Sequence, residues 1–501
     1  MAVLADVIKG TAGAVAAVLS LAGCAVGPDF ERPTAPATVG YTPQPLPETT
    51  ASAGVPGGAA QRFRVGEDIA TQWWKLFQSP PLNSLIEQAL KNNPSLQSAD
   101  AALREAQENL YAQRGILFPA VDAALSPLRQ KSYGAFGSGG AMSVPAYTTV
   151  TASVSVSYAI DMFGGARRFY EATTAVTEQA RFQSEAAYLT LTSNVVIAAI
   201  QQASLRAQVA ATRTILDAQE QQLAVLQRQL ELGGVAEADV LTQRTAVAQT
   251  RAQLPALEKQ LAQVRNQLLV LGGRTPDEAL DAEFDLAGLH LPEELPVSLP
   301  SELVQQRPDI RASEANLHAA SARIGVATAQ MLPQLSLDGR IGSSASNFGD
   351  LLTSGAGVWT LTAGLTQPLF RGGELLHRKR AAVAAYDGAA AQYRGTVLTA
   401  FQNVSDVLNA LQVDADALKA SLDAERAAAE NLAIAQNRYQ SGATSFLTLL
   451  DAQRTYQQAR IALVQAQAIR FTDTAALFVA LGGGWWNRSA DMAANTAETR
   501  N

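Results

Sequence analysis

With 501 residues the chain has length enough for two or three ordinary domains and more than enough apolar side chains to bury a core. A formal net charge of -7, with acidic and basic residues interspersed, excludes the basic footprint of a nucleic-acid binder. Aromatic residues make up 6% and a single cysteine is present, so neither an intramolecular disulfide nor a multi-cysteine metal site is available.

The first element is an apolar run, Thr11 to Gly23, of about 13 residues. It is too short to span a bilayer as a helix and suits the core of a secretory signal peptide, assigned to residues 1–23. Leu21-Ala22-Gly23-Cys24 then resembles the lipobox of bacterial lipoproteins, which implies covalent lipid on Cys24 and no other cofactor. Ala25 after the cysteine, where retained lipoproteins carry Asp, implies passage to the outer membrane. Residues 24–80 form an N-terminal segment that is rich in proline from Pro28 to Pro56.

Strands are expected where apolar residues alternate with polar ones. From Val150 to Ile160 the even positions are apolar while Thr151, Ser153, Ser155 and Ser157 are small and polar. The same alternation marks Leu335 to Ile341 and Trp359 to Leu365, and less regularly Val121 to Leu125, where Pro127 interrupts it. The Gly- and Ser-rich stretches Tyr133 to Ala146 and Ser343 to Gly357 are expected to be exposed loops. Segments of about ten residues with this pattern suit transmembrane β-strands and soluble sandwich strands alike. Four strands cannot close a barrel, so a membrane location requires several chains to contribute to one wall.

Long helices are expected over Gly164–Glu231 and Gly372–Gln440, each about 100 Å at 1.5 Å per residue. In the second, Val404, Leu408, Leu411, Ala415, Leu418, Leu422, Glu425, Ala429, Leu432, Gln436 and Tyr439 alternate in steps of four and three, a coiled-coil seam. Frequent Ala and Gln permit close helix approach and leave one side wettable, as the wall of a water-filled tube needs.

The chain also repeats itself. Asn93-Pro94 recurs as Arg307-Pro308 and Phe118-Pro119 as Leu332-Pro333, both at an interval of 214 residues (308 − 94 and 333 − 119). Leu271-Gly272-Gly273 recurs as Leu481-Gly482-Gly483. The resulting division is a first repeat at 81–274, a linker at 275–300, a second repeat at 301–485 and a structureless tail at 486–501.

Together these residues resemble the TolC-like outer-membrane efflux proteins, in particular the lipoprotein branch that serves resistance-nodulation-division pumps. The resemblance rests on the lipobox followed by Val26-Gly27-Pro28-Asp29-Phe30-Glu31-Arg32-Pro33. It rests also on Trp73-Trp74-Lys75-Leu76-Phe77, Pro81-Leu82, Leu85-Ile86, Ala89-Leu90 and Asn93-Pro94. It implies a mixed α and β fold in which a homotrimer builds a 12-stranded transmembrane barrel, four strands per chain, above a periplasmic helical barrel. The implied function is an exit duct for small molecules in the outer membrane, partnered by a periplasmic adaptor, an inner-membrane pump and lipid. A protein-secretion exit and a pore-less structural lipoprotein are the alternatives.

The turns at Leu232 to Ala236 and Ser441 to Ser445, with Gly233, Gly234 and Gly442, are the tips that the resemblance assigns to adaptor contact. Asp239, Tyr439 and Asp451 match its periplasmic gate, while Asp near a helix start is also favoured by the macrodipole alone. No enzymatic constellation is found. His290, His318 and His377 lack metal-ligand spacing and are expected to be solvated, and neither GxSxG nor GxxxxGK occurs.

Overall fold

The computed structural model describes residues 25–38, 40–131, 133–136, 140–143, 145–280 and 282–488. Cys24 and the signal segment lie outside the described residues. In chain order the main elements are β1 (Arg62–Val65), α1 (Pro80–Asn92), α2 (Pro94–Arg114), β2 (Ala120–Gln130), β3 (Tyr133–Phe136), β4 (Gly140–Ser143) and β5 (Tyr147–Ile160). There follow α3 (Gly165–Glu231), α4 (Glu237–Leu271), β6 (Glu294–Val297), α5 (Pro300–Gln306), α6 (Pro308–Ala329) and β7 (Gln334–Ala345). The chain ends through β8 (Gly357–Thr366), α7 (Glu374–Gln440) and α8 (Phe446–Ala480). Proline opens α1, α2, α5 and α6, where its fixed φ fits the first turn and its missing N–H costs nothing.

The chain divides into two units. One, drawn from residues 25–32, 103–180 and 313–393, contains an antiparallel sheet in the order β2-β5-β7-β8. Pro127 does not interrupt β2 as expected, since β2 runs unbroken to Gln130 with Pro127 opposite Val150. A strand residue addresses one neighbour only, so a proline removes one ladder bond and leaves the register intact. The stretch expected to be a loop from Tyr133 holds the β3–β4 hairpin, which pairs Tyr133 with Ser143. The second expected loop contains a 3₁₀ turn at Phe348–Leu352, where the Asn347 side chain accepts from the Asp350 N–H.

The other unit, from residues 33–102, 181–312 and 394–488, is mostly helical. The seam of α7 is buried from Val404 through Leu411, Ala415 and Leu418 to Leu422, as the spacing predicts. Beyond Leu422 the buried positions are Ala428 and Ala435 in place of Ala429 and Gln436. The stripe moves there onto small alanines, and Ala435 packs in the cluster of Leu226, Val240 and Phe446. Residues expected to be linker add core here: Phe284, Leu286, Leu289, Leu291, Leu295 and Val297 are buried, and β6 pairs in parallel with β1. Around them lies an aromatic cluster in which Trp73 stacks on Phe478 at 5.4 Å and Phe77 meets Phe471 at 6.4 Å. The tail expected to be structureless from 486 is pinned at its start, with Trp486 Nε1 donating to Asp68 at 3.0 Å and Arg488 paired with Glu185 at 2.8 Å, and its remainder lies outside the described residues.

The duplication is visible in the lengths. Both long helices have 67 residues and both shorter ones 35. From Gly165 to Glu374 the interval between halves is 209 (374 − 165), against 214 before the strands. The five-residue difference therefore falls between the two strands of each half.

Candidate functional site

The first candidate surface is the four-stranded sheet, where register places whole rows of side chains on one face. Ala123, Val154, Ile341 and Trp359 lie opposite one another across the four strands, and Val121, Val156, Gly339 and Leu361 form the next such row. Between them run Asp122, Ser155, Arg340 and Thr360, and then Ala120, Ser157, Asp338 and Thr362. One face is apolar and the other wettable and charged. The apolar face is open on β7 and β8, with Ile341 67%, Trp359 77% and Leu361 76% exposed. Among the described residues β2 and β8 are the edges of this sheet, so each carries backbone groups unpaired along one side.

Residues 25–32 are strapped to the same unit as the sheet. Val26 N–H donates to Phe163 O at 3.0 Å, and Arg168 donates to Val26 O at 3.2 Å and to Asp29 at 2.6 Å. Arg32 pairs with Glu314 at 2.6 Å. Phe30 stacks on His318 at 4.3 Å, and His318 hydrogen-bonds Glu171 at 3.0 Å, so this histidine is packed and partnered where a solvated one was expected. His290 and His377 are exposed. The segment fixes the backbone that directly follows Cys24.

The second candidate region is the pair of helical turns. At the first, Gly233 has φ 75° and donates to Leu230 O, while Gly234 donates to Gln229 O at 2.8 Å. At the second, Gly442 has φ 73° and donates to Tyr439 O, while Ala443 donates to Arg438 O at 2.8 Å. Both are Schellman caps, in which a left-handed residue lets two orphan carbonyls be satisfied. Ser445 then caps α8 by accepting from Thr448 N–H.

Beside these turns, Leu226, Val240, Ala435, Phe446, Leu449 and Leu450 form an apolar cluster with Tyr439 at its margin. The Tyr439 ring meets Phe446 edge-on at 5.8 Å. Burial, and secondarily the charge of Asp239, hold the Tyr439 hydroxyl above the ordinary phenol range, so these two expected gate residues are within electrostatic reach. Asp239 lies in the first turn of α4. Asp451 is exposed and sits six residues beyond the Ser445 cap, past the reach of the end charge of the helix. A cleft of about 430 Å³ is lined by Gln219, Gln249, Gln253, Gln457, Gln458 and Arg454, a wettable surface of amides with one cation.

The model of the outer membrane efflux protein family matches twice, at residues 85–274 and 299–483. The chain belongs to this family of outer-membrane efflux channels. It is 33% identical over 474 residues to the probable efflux pump outer membrane protein TtgC of Pseudomonas putida, covering 94% of each chain. To the pyoverdine export outer membrane protein OpmQ of Pseudomonas aeruginosa it is 33% identical over 454 residues, 89% of this chain and 94% of the relative. Among solved structures, the outer-membrane channel OprN matches with a TM-score of 0.82 at 28% identity, over 92% of this chain and all of that one. VceC of Vibrio cholerae matches at 0.77 and 28%, over 83% of this chain and 100% of that one. The efflux channel's sheet is accordingly its outer-membrane part, and the long helices belong to the periplasm.

One group in the channel had no sequence signal. The Arg470 guanidinium is fully buried and donates to Leu411 O at 2.7 Å, Thr50 Oγ1 at 3.1 Å and Ala59 O at 3.2 Å. It faces Asp414 and Asp473. Burial, then the Asp414 carboxyl as hydrogen-bond partner and charge, push Asp473 up to about 7. Arg470 thereby ties the N-terminal segment to the helices, and nothing in the local pattern around position 470 announces it.

Proposed function

We propose that three copies of this chain close one twelve-stranded barrel and act as a passive exit duct for small molecules, drugs and other toxic compounds among them. Acyl chains on Cys24 anchor each copy, and the helical tips around Gly233, Gly234 and Gly442 receive a periplasmic adaptor and an inner-membrane resistance-nodulation-division pump. The observation that carries this reading is a sheet with a continuous apolar face and two unpaired edges. An open edge in lipid costs several kcal/mol per unsatisfied backbone group, and closure by further copies removes that cost. The polar rows then line a wet lumen.

In a threefold assembly Asp239, Tyr439 and Asp451 each recur three times about the axis, which suits a charged and aromatic constriction at the closed end. The pump supplies energy, and the duct itself catalyses nothing. One relative is a pyoverdine export protein, which favours small-molecule export over protein secretion. The test joins planar-bilayer conductance of the purified protein to drug-susceptibility testing of a deletion strain. A monomer that never conducts, or a deletion strain with unchanged susceptibility to every compound tried, overturns the proposal.

A further inference from the structure

If copies of the chain close a barrel, one new antiparallel pairing must form, between β8 of one copy and β2 of the next, because these are the two free edges. The internal repeat specifies its register. The strand that opens each half is related to its counterpart by the interval of 214 that joins Pro119 to Pro333. The strand that closes each half is related by the interval of 209 that joins Gly165 to Glu374, and the left-handed Gly233 to Gly442.

These intervals can be checked inside one protomer. Moving the pair Ala120↔Ser157 forward by 214 and 209 respectively gives Gln334↔Thr366, which is the register observed between β7 and β8. The two hairpins are therefore superposable in register. One pairing remains within the chain, the junction between halves, where Val156 faces Gly339 and Ser155 faces Arg340. Its counterpart is the seam between copies. Moving Val156 forward by 209 gives Leu365 and moving Gly339 back by 214 gives Leu125, while the neighbouring pair becomes Gly364 and Ser126.

We infer that β8 pairs with β2 of the adjacent copy with Leu365 opposite the neighbour's Leu125, and so Gly364 opposite Ser126 and Ala363 opposite Pro127. The inference rests on the assembly proposed above and adds its register. The side-chain pattern agrees with it independently. Leu125 lies in the apolar set beside Ala152, and Leu365 in the apolar set beside Leu335, so the seam continues the greasy face on one side. Ser126, beside Thr151, continues the wettable face on the other. A slip of one residue would turn the whole seam inside out, so the only competitors close to this register are slips of two.

Cysteine cross-linking separates these. Directly opposed residues in an antiparallel pair have Cα atoms about 4.5–5.5 Å apart and those displaced by two about 7–8 Å, while disulfides close below about 7 Å. The full-length protein in outer-membrane fractions is oxidised and run on non-reducing gels, with Cys24 retained and the unmodified chain as background. Leu125→Cys with Leu365→Cys should give a covalent trimer, and Ser126→Cys with Gly364→Cys should do so from the opposite face. Leu125→Cys combined with Ala363→Cys or with Gln367→Cys should give about tenfold less product.

Predominant cross-linking of either displaced pair overturns the register, as does absence of any product from a chain that still runs as a trimer when unheated. In those cases the trimeric reading stands. Loss of the unheated trimer in the unmodified chain removes that reading and the seam with it.

Discussion

The two faces of the sheet make adjacent positions on one strand respond in opposite ways to the same change. Val156 lies in the row of Val121, Gly339 and Leu361, whereas Ser157 lies opposite Asp338. A lysine at the first position is placed against hydrocarbon some way from the midplane, which costs about 2 kcal/mol, or about 30-fold in the folding equilibrium. At Ser157 it meets water and a carboxylate across the strand, so the change is within about 0.5 kcal/mol and of favourable sign. Refolding of Val156→Lys and Ser157→Lys into lipid vesicles across a urea series, read as the heat-modifiable fraction on gels, measures both. Equal losses at the two positions, or the larger loss at Ser157, would refute the assignment of the faces.

Three further outcomes follow from the helical unit. Asp473 releases its proton near pH 7 in the fold and near 3.8 when unfolded, so the folded state binds the extra proton between those values and stability falls as pH rises through them. Solvent screening of this half-buried group brings the effect to about 1–2 kcal/mol, and Asp473→Asn should abolish the pH dependence of the denaturation midpoint between pH 5 and 8. Gly233→Ala places a methyl in open space at positive φ and should cost about 1–2 kcal/mol, whereas at Gly273 the methyl also meets Asn92 O at 2.5 Å. Gly273→Ala should therefore be the more destabilising in thermal melts, and the reverse order would contradict the packing. Asp451→Ala should raise single-channel conductance in planar bilayers, and an unchanged closed state would count against a charged constriction.

Much of the fold was legible because its signals are local. Period-two alternation from Val150 to Ile160 marked β5, and the four-three spacing from Val404 to Leu422 marked the buried stripe of α7. The tip glycines were legible for the same reason, since a helix that reverses needs a left-handed residue at its end. Pro127 was not legible as a strand residue, because the sequence does not say which neighbour its missing N–H would have addressed. Nor was His318 legible as a packed residue, because its partner Phe30 comes from a segment 288 residues away (318 − 30).

Sequence alone determined the long helices, the four main strands, the duplication and the family, since each depends on spacing along the covalent chain and survives without knowledge of what packs where. Tertiary structure decided the shift of the α7 stripe to Ala428 and Ala435, the strap on Arg168, and the meeting of Arg470 with Thr50 across 420 residues. It also decided the register between the two halves, where Val156 faces Gly339. Such contacts are set by which surfaces exclude water together, and a chain-local pattern carries no term for a partner hundreds of residues distant.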